Sequence, residues 1–306
     1  MPDRVLITGG AGFIGSHVAD AYLAAGEEVV VVDDLSSGRR TNLGRQVRLI
    51  ELDIRSPELA ALFQAERPEV VNHHAAQIDV RRSVADPVLD VSINLLGSLN
   101  VLECARTADV RRFVYASTGG AVYGEPLELP CREDHPARPI SPYGASKHAF
   151  EHYLEMYFTL YGLPYSILRY ANVYGPRQDP LGEAGVVAIF AARMLAGADI
   201  VINGDGDQTR DFVFVEDVAK ANLLTTNSGG ACGMFNIGTG EGTSIKQLFD
   251  TLQRETGYRL SPAYGPAKPG ETRHIFLDCS HASKALGWAP AVDLEEGLRR
   301  TLESLR

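Results

Sequence analysis

The chain has 306 residues, 45% of them hydrophobic and 22% charged, and carries a formal net charge of −10. That length suits one large or two modest domains, and the acidic balance excludes nucleic acid or an anionic membrane surface as the main partner: both need a concentrated basic patch, and Arg39-Arg40, Arg81-Arg82 and Arg111-Arg112 are only pairs. Cys104, Cys131, Cys232 and Cys279 stand alone without metal-ligand spacing, no signal peptide precedes the first strand, and no apolar stretch approaches the ~18 residues of a membrane span, so a reduced, soluble, cytoplasmic protein without a metal is expected.

Short β-branched runs alternate with amphipathic stretches from the start. Residues 5–8 read as a strand, and Thr8-Gly9-Gly10-Ala11-Gly12-Phe13-Ile14-Gly15 leads directly from it into a helical pattern over 13–25. Glycines at 9, 12 and 15 permit a tight turn and let the amides of a helix amino terminus approach a pyrophosphate. A second strand, 28–33, ends in Asp33, 18 positions past Gly15. A carboxylate there accepts hydrogen bonds from both hydroxyls of an adenosine ribose and repels a 2′-phosphate. NAD is thereby favoured over NADP, with Arg39 and Arg40 in the next loop pulling the other way. Residues 47–53 form a third strand, and Asp53-Ile54 at its end suits either an adenine contact or a structural turn.

A helix over 57–66 leads to the strand 70–75, which carries His73-His74. Adjacent side chains on a strand point to opposite faces, so packing or a place at the cofactor's edge is expected there rather than a metal. A helix over 88–107 precedes the strand 112–117, which runs into Thr118, and a helix over 144–161 follows. Tyr143 and Lys147 lie four apart on one face of it. A phenol with an ordinary pKa of about 10 needs help to act as a base near neutrality, and a lysine ammonium one turn away, with a nicotinamide cation, would lower it. Residues 165–170 are a sixth strand.

This alternation implies a Rossmann-like, doubly wound parallel α/β sheet, covered on both faces, with ligands at the carboxyl ends of its strands. Beyond it, glycines and prolines at 175–180 and 204–207 punctuate a smaller α/β lobe, while 212–215 and 234–238 read as strands that could rejoin the main sheet. The expected division is 1–170 for the dinucleotide domain, with returning segments near 211–238, and 171–306 mainly for a substrate-binding lobe.

Together these residues resemble one family, the extended short-chain dehydrogenase/reductases that include the NAD-dependent epimerases and dehydratases. The resemblance rests on TGGAGFIGSH at 8–17, VVDDLSSG at 31–38, HHAAQ at 73–77, ASTGGAVYG at 116–124, SPYGASK at 141–147, LRYANVYGPRQDP at 168–180, RDFVFVEDVA at 210–219 and FNIGTG at 235–240. The chain is most similar to the members that interconvert UDP-glucose and UDP-galactose. Those oxidise the sugar at C4 with tightly bound NAD, let the 4-keto sugar turn, and return the hydride to its opposite face.

The resemblance implies Tyr143 as the base that takes the C4 hydroxyl proton and Lys147 as the residue that tunes the phenol and holds the nicotinamide ribose. It implies a cofactor site of Gly9, Gly12, Phe13, Ile14, Gly15, Asp33, Asp34, Ser37, Gly38, Asp53, Ile54, His74, Ala75, Ala76, Gln77, Asn94, Tyr143, Lys147 and Tyr170. For a UDP-sugar it implies Thr118, Tyr143, Asn172, Val187, Arg210 as a diphosphate clamp, and Lys268 where relatives usually have arginine. Relatives often carry a third catalytic hydroxyl at the position of Gly119, so Thr118, or less favourably Ser117, is the expected donor. Gly119 and Gly120 also stand where dehydratases have an Asp-Glu pair, which disfavours elimination of water.

Ile275 aligns with a residue that limits bulk at the sugar C2 and leaves N-acetylated sugars open. The helices 88–107 and 144–161 resemble the pair that family members pack into a four-helix bundle between two copies. Leu89, Ile93, Leu96, Phe150, Tyr153, Leu154 and Tyr157 are available for that homodimer or for the chain's own core. The other readings are 4-epimerisation of UDP-glucuronate or UDP-N-acetylglucosamine, and a non-catalytic NAD-binding regulatory protein on the same fold.

Overall fold

The computed structural model describes residues 2–180, 185–227, 232–267 and 272–306. Apolar runs buried on both faces give the strands β1 (Arg4–Thr8), β2 (Glu28–Asp33), β4 (Val70–His73), β5 (Arg112–Thr118) and β6 (Tyr165–Tyr170), while β3 (Arg48–Glu51), at the sheet edge, is only partly covered. With a seventh strand, Gly233–Ile237, they form one parallel sheet in the order Gly233–Ile237, β6, β5, β4, β1, β2, β3. The order reverses between β1 and β4, where Thr8 pairs with His73, and a crevice opens at the carboxyl ends of the strands there. The sheet is therefore the doubly wound parallel α/β sheet expected from the sequence.

Several expected boundaries shift. The strand expected over 47–53 is only Arg48–Glu51, because the chain turns at Asp53, whose carboxylate accepts the Arg55 amide hydrogen at 2.8 Å. The strand expected over 70–75 stops at His73. Strand Phe212–Phe214 does not rejoin the main sheet. It pairs with Asn172–Tyr174 as a separate two-stranded sheet, and only Gly233–Ile237 joins β6.

One helix runs over Pro87–Thr107, with a π-helical stretch at Ser92–Gly97. It has 21 residues, and an 18-residue window of it with mean hydropathy 1.4 does match a membrane span in length and composition, against the expectation that no stretch would. It packs instead as a core helix: Gly97 lies so close to Ile54 that a Cβ would come within 2.8 Å of it, and the Asn100 amide donates to the Ile54 carbonyl at 2.7 Å. The helix Pro142–Tyr161 starts two residues earlier than its apolar pattern suggests, because Ser141 caps it and Pro142 is preset for a first turn. Tyr143 is thus fixed inside a helix. Phe150, Leu154 and Tyr157 are buried against β5 and β4 in the chain's own core.

The second lobe gathers the helices Val186–Leu195, Ile245–Thr256 and Leu294–Leu305 around Phe190, Phe249 and Leu298. Three short strands, Thr243–Ser244, Thr209–Arg210 and His274–Ile275, form its rim.

Candidate active site

The glycine turn has the geometry its spacing demands. Gly9 has φ of +67°, and a Cβ on it would meet the Ala75 backbone nitrogen at 2.5 Å; a Cβ on Gly15 would meet the Gly9 carbonyl oxygen at 2.3 Å. Any side chain at either position would push β1, the following helix Phe13–Ala24 and the end of β4 apart. Gly12 caps that helix without a side-chain hydrogen bond, leaving its first amides to face an anion.

At the end of β2 the buried Asp33 carboxylate accepts the Ala11 and Leu35 amides, both at 2.9 Å. Burial raises its pKa, and the two amides counter that. Gly38 lies where a Cβ would sit 2.7 Å from Asp33, so the 34–38 loop wraps this carboxylate closely. Arg39 pairs with Asp179 at 2.5 Å and Arg40 donates to the Val47 carbonyl at 3.1 Å. Each of the two cations that could have favoured a 2′-phosphate thus has a protein partner. Asp34 holds Ser36, Ser37 is exposed, and Asp53 is paired with Arg55 at 2.5 Å. Phe13 and Ile14 open the helix half-buried, and Ile54 is packed beneath Gly97.

The two histidines divide as strand geometry requires. His73 is buried between the Thr8 hydroxyl at 2.6 Å and the Ser98 hydroxyl at 2.8 Å, whereas His74 stacks on Tyr170. Burial, then the nearby Lys147 ammonium, lowers His74 to about 3, so the ring is neutral. Its Nε2 is buried without a partner among the described residues, an acceptor or donor left over at the crevice. Ala75 and Ala76 carry the chain past it, and the Ala75 amide donates to the Thr8 hydroxyl at 3.3 Å. The Gln77 amide donates to Asn94 at 2.8 Å, and the Asn94 amide group donates to Gln77 and Asp90. The Asn94 side chain is thus fully engaged within the protein.

Tyr143, half-buried at the start of its helix, is reached by the Thr118 hydroxyl from the end of β5. Here the structure corrects one expectation. The phenol is not pulled down toward neutrality by its protein surroundings: burial, and next the Asp90 carboxylate, raise its pKa, and the Thr118 hydrogen bond only partly opposes them. Lys147 lies 4.6 Å from the Tyr115 ring centroid, and burial lowers it to about 8 against the pull of Glu151 and Asp90. Glu151, one turn further on, is buried in a pair with Arg169 at 2.6 Å and accepts from the Ser117 hydroxyl at 2.5 Å. That bond commits Ser117 and leaves Thr118 as the hydroxyl facing the phenol.

The Leu277 side chain packs against Gly119, and a Cβ there would come within 2.6 Å of its Cδ1, so a larger residue would have to displace that side chain. A Cβ on Gly120 would lie 3.8 Å from Asn172 Oδ1 and 3.9 Å from Thr118 Oγ1, which puts both groups close to one point. Arg210 donates to the Thr209 and Arg273 carbonyls at the rim of the second lobe. The Val187 side chain is buried in that lobe's core, and Ile275 is buried beside Tyr123 and Leu277. Lys268 lies outside the described residues.

Sequence reasoning missed Asp90, Ser146 and Glu151, which are buried around the Tyr143–Lys147 turn. Ser146 sits inside the quoted SPYGASK stretch, but nothing in the spacing marks Asp90 or Glu151 as buried.

The family model of the NAD dependent epimerase/dehydratase family matches residues 5–238. A UDP-glucose 4-epimerase of Mycolicibacterium smegmatis is 46% identical over 308 residues, covering 99% of this chain and 98% of that protein. Among solved structures, the UDP-glucose 4-epimerase of Thermotoga maritima with UDP-glucose superposes with a TM-score of 0.96 at 50% identity, over 98% of each chain. The UDP-glucose 4-epimerase of Thermus thermophilus in complex with NAD does so with a TM-score of 0.93 at 46% identity, over 99% of this chain and 98% of that one.

Proposed function

The chain belongs to the NAD-dependent epimerase/dehydratase family, and we propose that it interconverts UDP-glucose and UDP-galactose by transient oxidation at C4 of the sugar. The observation that carries this reading is Tyr143 and Lys147 one turn apart on the helix Pro142–Tyr161, with the Thr118 hydroxyl close enough to favour the phenolate, at the mouth of a glycine-turn dinucleotide cradle. Relatives that act on this sugar pair match the chain over nearly its full length.

NAD fits the residues present. The Gly9–Gly12–Gly15 turn would take the pyrophosphate, Asp33 the adenosine ribose, and Lys147 the nicotinamide ribose. Bound NAD accepts and returns the hydride, and its positively charged ring favours a phenolate beside it, which offsets the burial that raises Tyr143.

In this reading Tyr143 takes the proton of the C4 hydroxyl and later restores it, and Thr118 donates a hydrogen bond that steadies the phenolate. Asn172 and Arg210 hold the diphosphate, with the fork of Arg210 suited to two phosphate oxygens. The absence of an acid–base pair at Gly119 and Gly120 keeps water elimination out of the cycle. No net oxidation occurs, so the dinucleotide has no need to leave. The functional unit is a cytoplasmic homodimer, supported by the exposed apolar Val88, Leu96 and Met156 on the helices Pro87–Thr107 and Pro142–Tyr161.

Purified protein, denatured and analysed for nucleotide, should release NAD, and the native protein should convert UDP-galactose without added cofactor. Tyr143→Phe should keep its NAD while turnover falls by at least about 10². Near-wild-type turnover in that variant would remove Tyr143 from the mechanism.

A further inference from the structure

Asp90 is fully buried in the first turn of the helix Pro87–Thr107, and its three bonded partners are neutral. Its Oδ2 lies 2.6 Å from the Ser146 hydroxyl, and its Oδ1 accepts from the Asn94 and Gln77 side-chain amides, both at 3.0 Å. Ser146 stands between Tyr143 and Lys147, and its hydroxyl is also 3.0 Å from the Tyr143 carbonyl oxygen. The carboxylate therefore clamps the very turn that carries the acid–base pair. The same cluster runs on through Asn94 and Ser98 to His73 and Thr8 at the end of β1, so it connects the catalytic helix to the glycine turn.

The charges around this turn are unequal. Glu151 is the other carboxylate beside Lys147, but Arg169 and His148 both bind it, at 2.6 and 2.9 Å. Burial holds His73 and His74 neutral, and burial likewise keeps the Tyr115 phenol protonated. With Glu151 offset by Arg169, the uncompensated negative charge facing Tyr143 and Lys147 is Asp90.

We propose that Asp90 is a positioning residue for the Tyr143–Lys147 pair: through Ser146 it fixes the turn that carries them, and its charge balances the Lys147 ammonium. The inference rests on the reading of Tyr143 and Lys147 as the acid–base pair. A buried carboxylate disfavours both the loss of a phenol's proton, which creates a second negative charge, and the loss of an ammonium's proton, so removing its charge lets both Tyr143 and Lys147 lose their protons at lower pH.

The test compares wild-type holoenzyme with Asp90→Asn and Ser146→Ala. Asp90→Asn keeps amide and carbonyl groups in the clamp but removes the charge. Both limbs of its kcat/KM profile should move together to lower pH by about one unit, with NAD content unchanged. The ultraviolet tyrosinate absorbance of the substrate-free holoenzyme, with Tyr143→Phe subtracted, should also appear about one unit lower. Ser146→Ala keeps the charge and removes the tether, so turnover should fall about tenfold with the limbs in place.

A profile and an absorbance titration of Asp90→Asn that superimpose on wild type overturn the charge role, and wild-type turnover in Ser146→Ala overturns the tether. If Asp90→Asn does not fold, Ser146→Ala still decides the tether, and Asp90→Ser takes the place of Asp90→Asn in the two titrations that decide the charge role. A wild-type protein that leaves UDP-galactose unchanged would overturn the assigned reaction instead, while the absorbance titration still decides whether Asp90 sets the ionisation of Tyr143.

Discussion

Three positions at the end of β5, Ser117, Thr118 and Gly119, are available for a hydroxyl beside the helix Pro142–Tyr161, and their neighbours sort them. Ser117 is bound to Glu151, Thr118 reaches the Tyr143 phenol, and a side chain at 119 would strike Leu277. Thr118→Ala should therefore lower kcat by about 10²–10³, the scale of one lost polarising hydrogen bond, and leave the NAD content unchanged. Initial rates settle this, and equal rates in the two proteins would return the role to another donor. Lys147 adds a pH dependence. Burial lowers its pKa to about 8, so the ammonium is present below that value and lost above it. Turnover should decline on the alkaline side with a midpoint near pH 8, and a flat rate up to the ordinary lysine range would contradict it. The placement of Tyr143 and Lys147 on one helix, and of Asp33 at the end of β2, was legible from spacing. The direction of the Tyr143 shift was not, because it depends first on burial and then on a carboxylate 53 positions earlier, both of which only the fold supplies.

The elements that hold the site follow local rules where those rules are strong. The glycine turn is one: Gly15→Ala would place a Cβ 2.3 Å from the Gly9 carbonyl oxygen, so the purified variant should carry little or no NAD when its nucleotide is released and measured. Full occupancy in that variant would show that the turn tolerates widening. The sheet strands were legible because buried β-branched runs between helical patterns have few alternative readings. The catalytic helix was placed two residues late because its first turn is set by a serine cap and a proline rather than by apolar periodicity. The rim strands of the second lobe, two residues each, are too short for any period to register, and their pairing comes from tertiary contacts such as Thr209–His274.

For the whole molecule, the parallel sheet was implied by strand–helix alternation, whereas the place at which the order reverses, between β1 and β4, is set by the fold. The destination of 212–214 was not legible, since a buried apolar strand fits either a main sheet or a small one. Assembly is the remaining property at this scale. Val88 and Leu96 are 78% and 59% exposed, large values for apolar side chains about two turns apart on one helix. Val88→Asp combined with Leu96→Asp should convert a homodimer to a monomer in sedimentation velocity, and a wild-type protein that is already monomeric would contradict the proposed assembly.

The central claim is that hydride leaves C4 and returns to it without leaving the protein, and one labelled substrate tests it. UDP-galactose carrying deuterium at C4 is incubated with the purified protein, without added cofactor, and followed by NMR. The account predicts UDP-glucose with deuterium still on C4, because bound NAD holds the label between the two transfers. Product bearing solvent hydrogen at C4, or no product with NAD demonstrably bound, would contradict it.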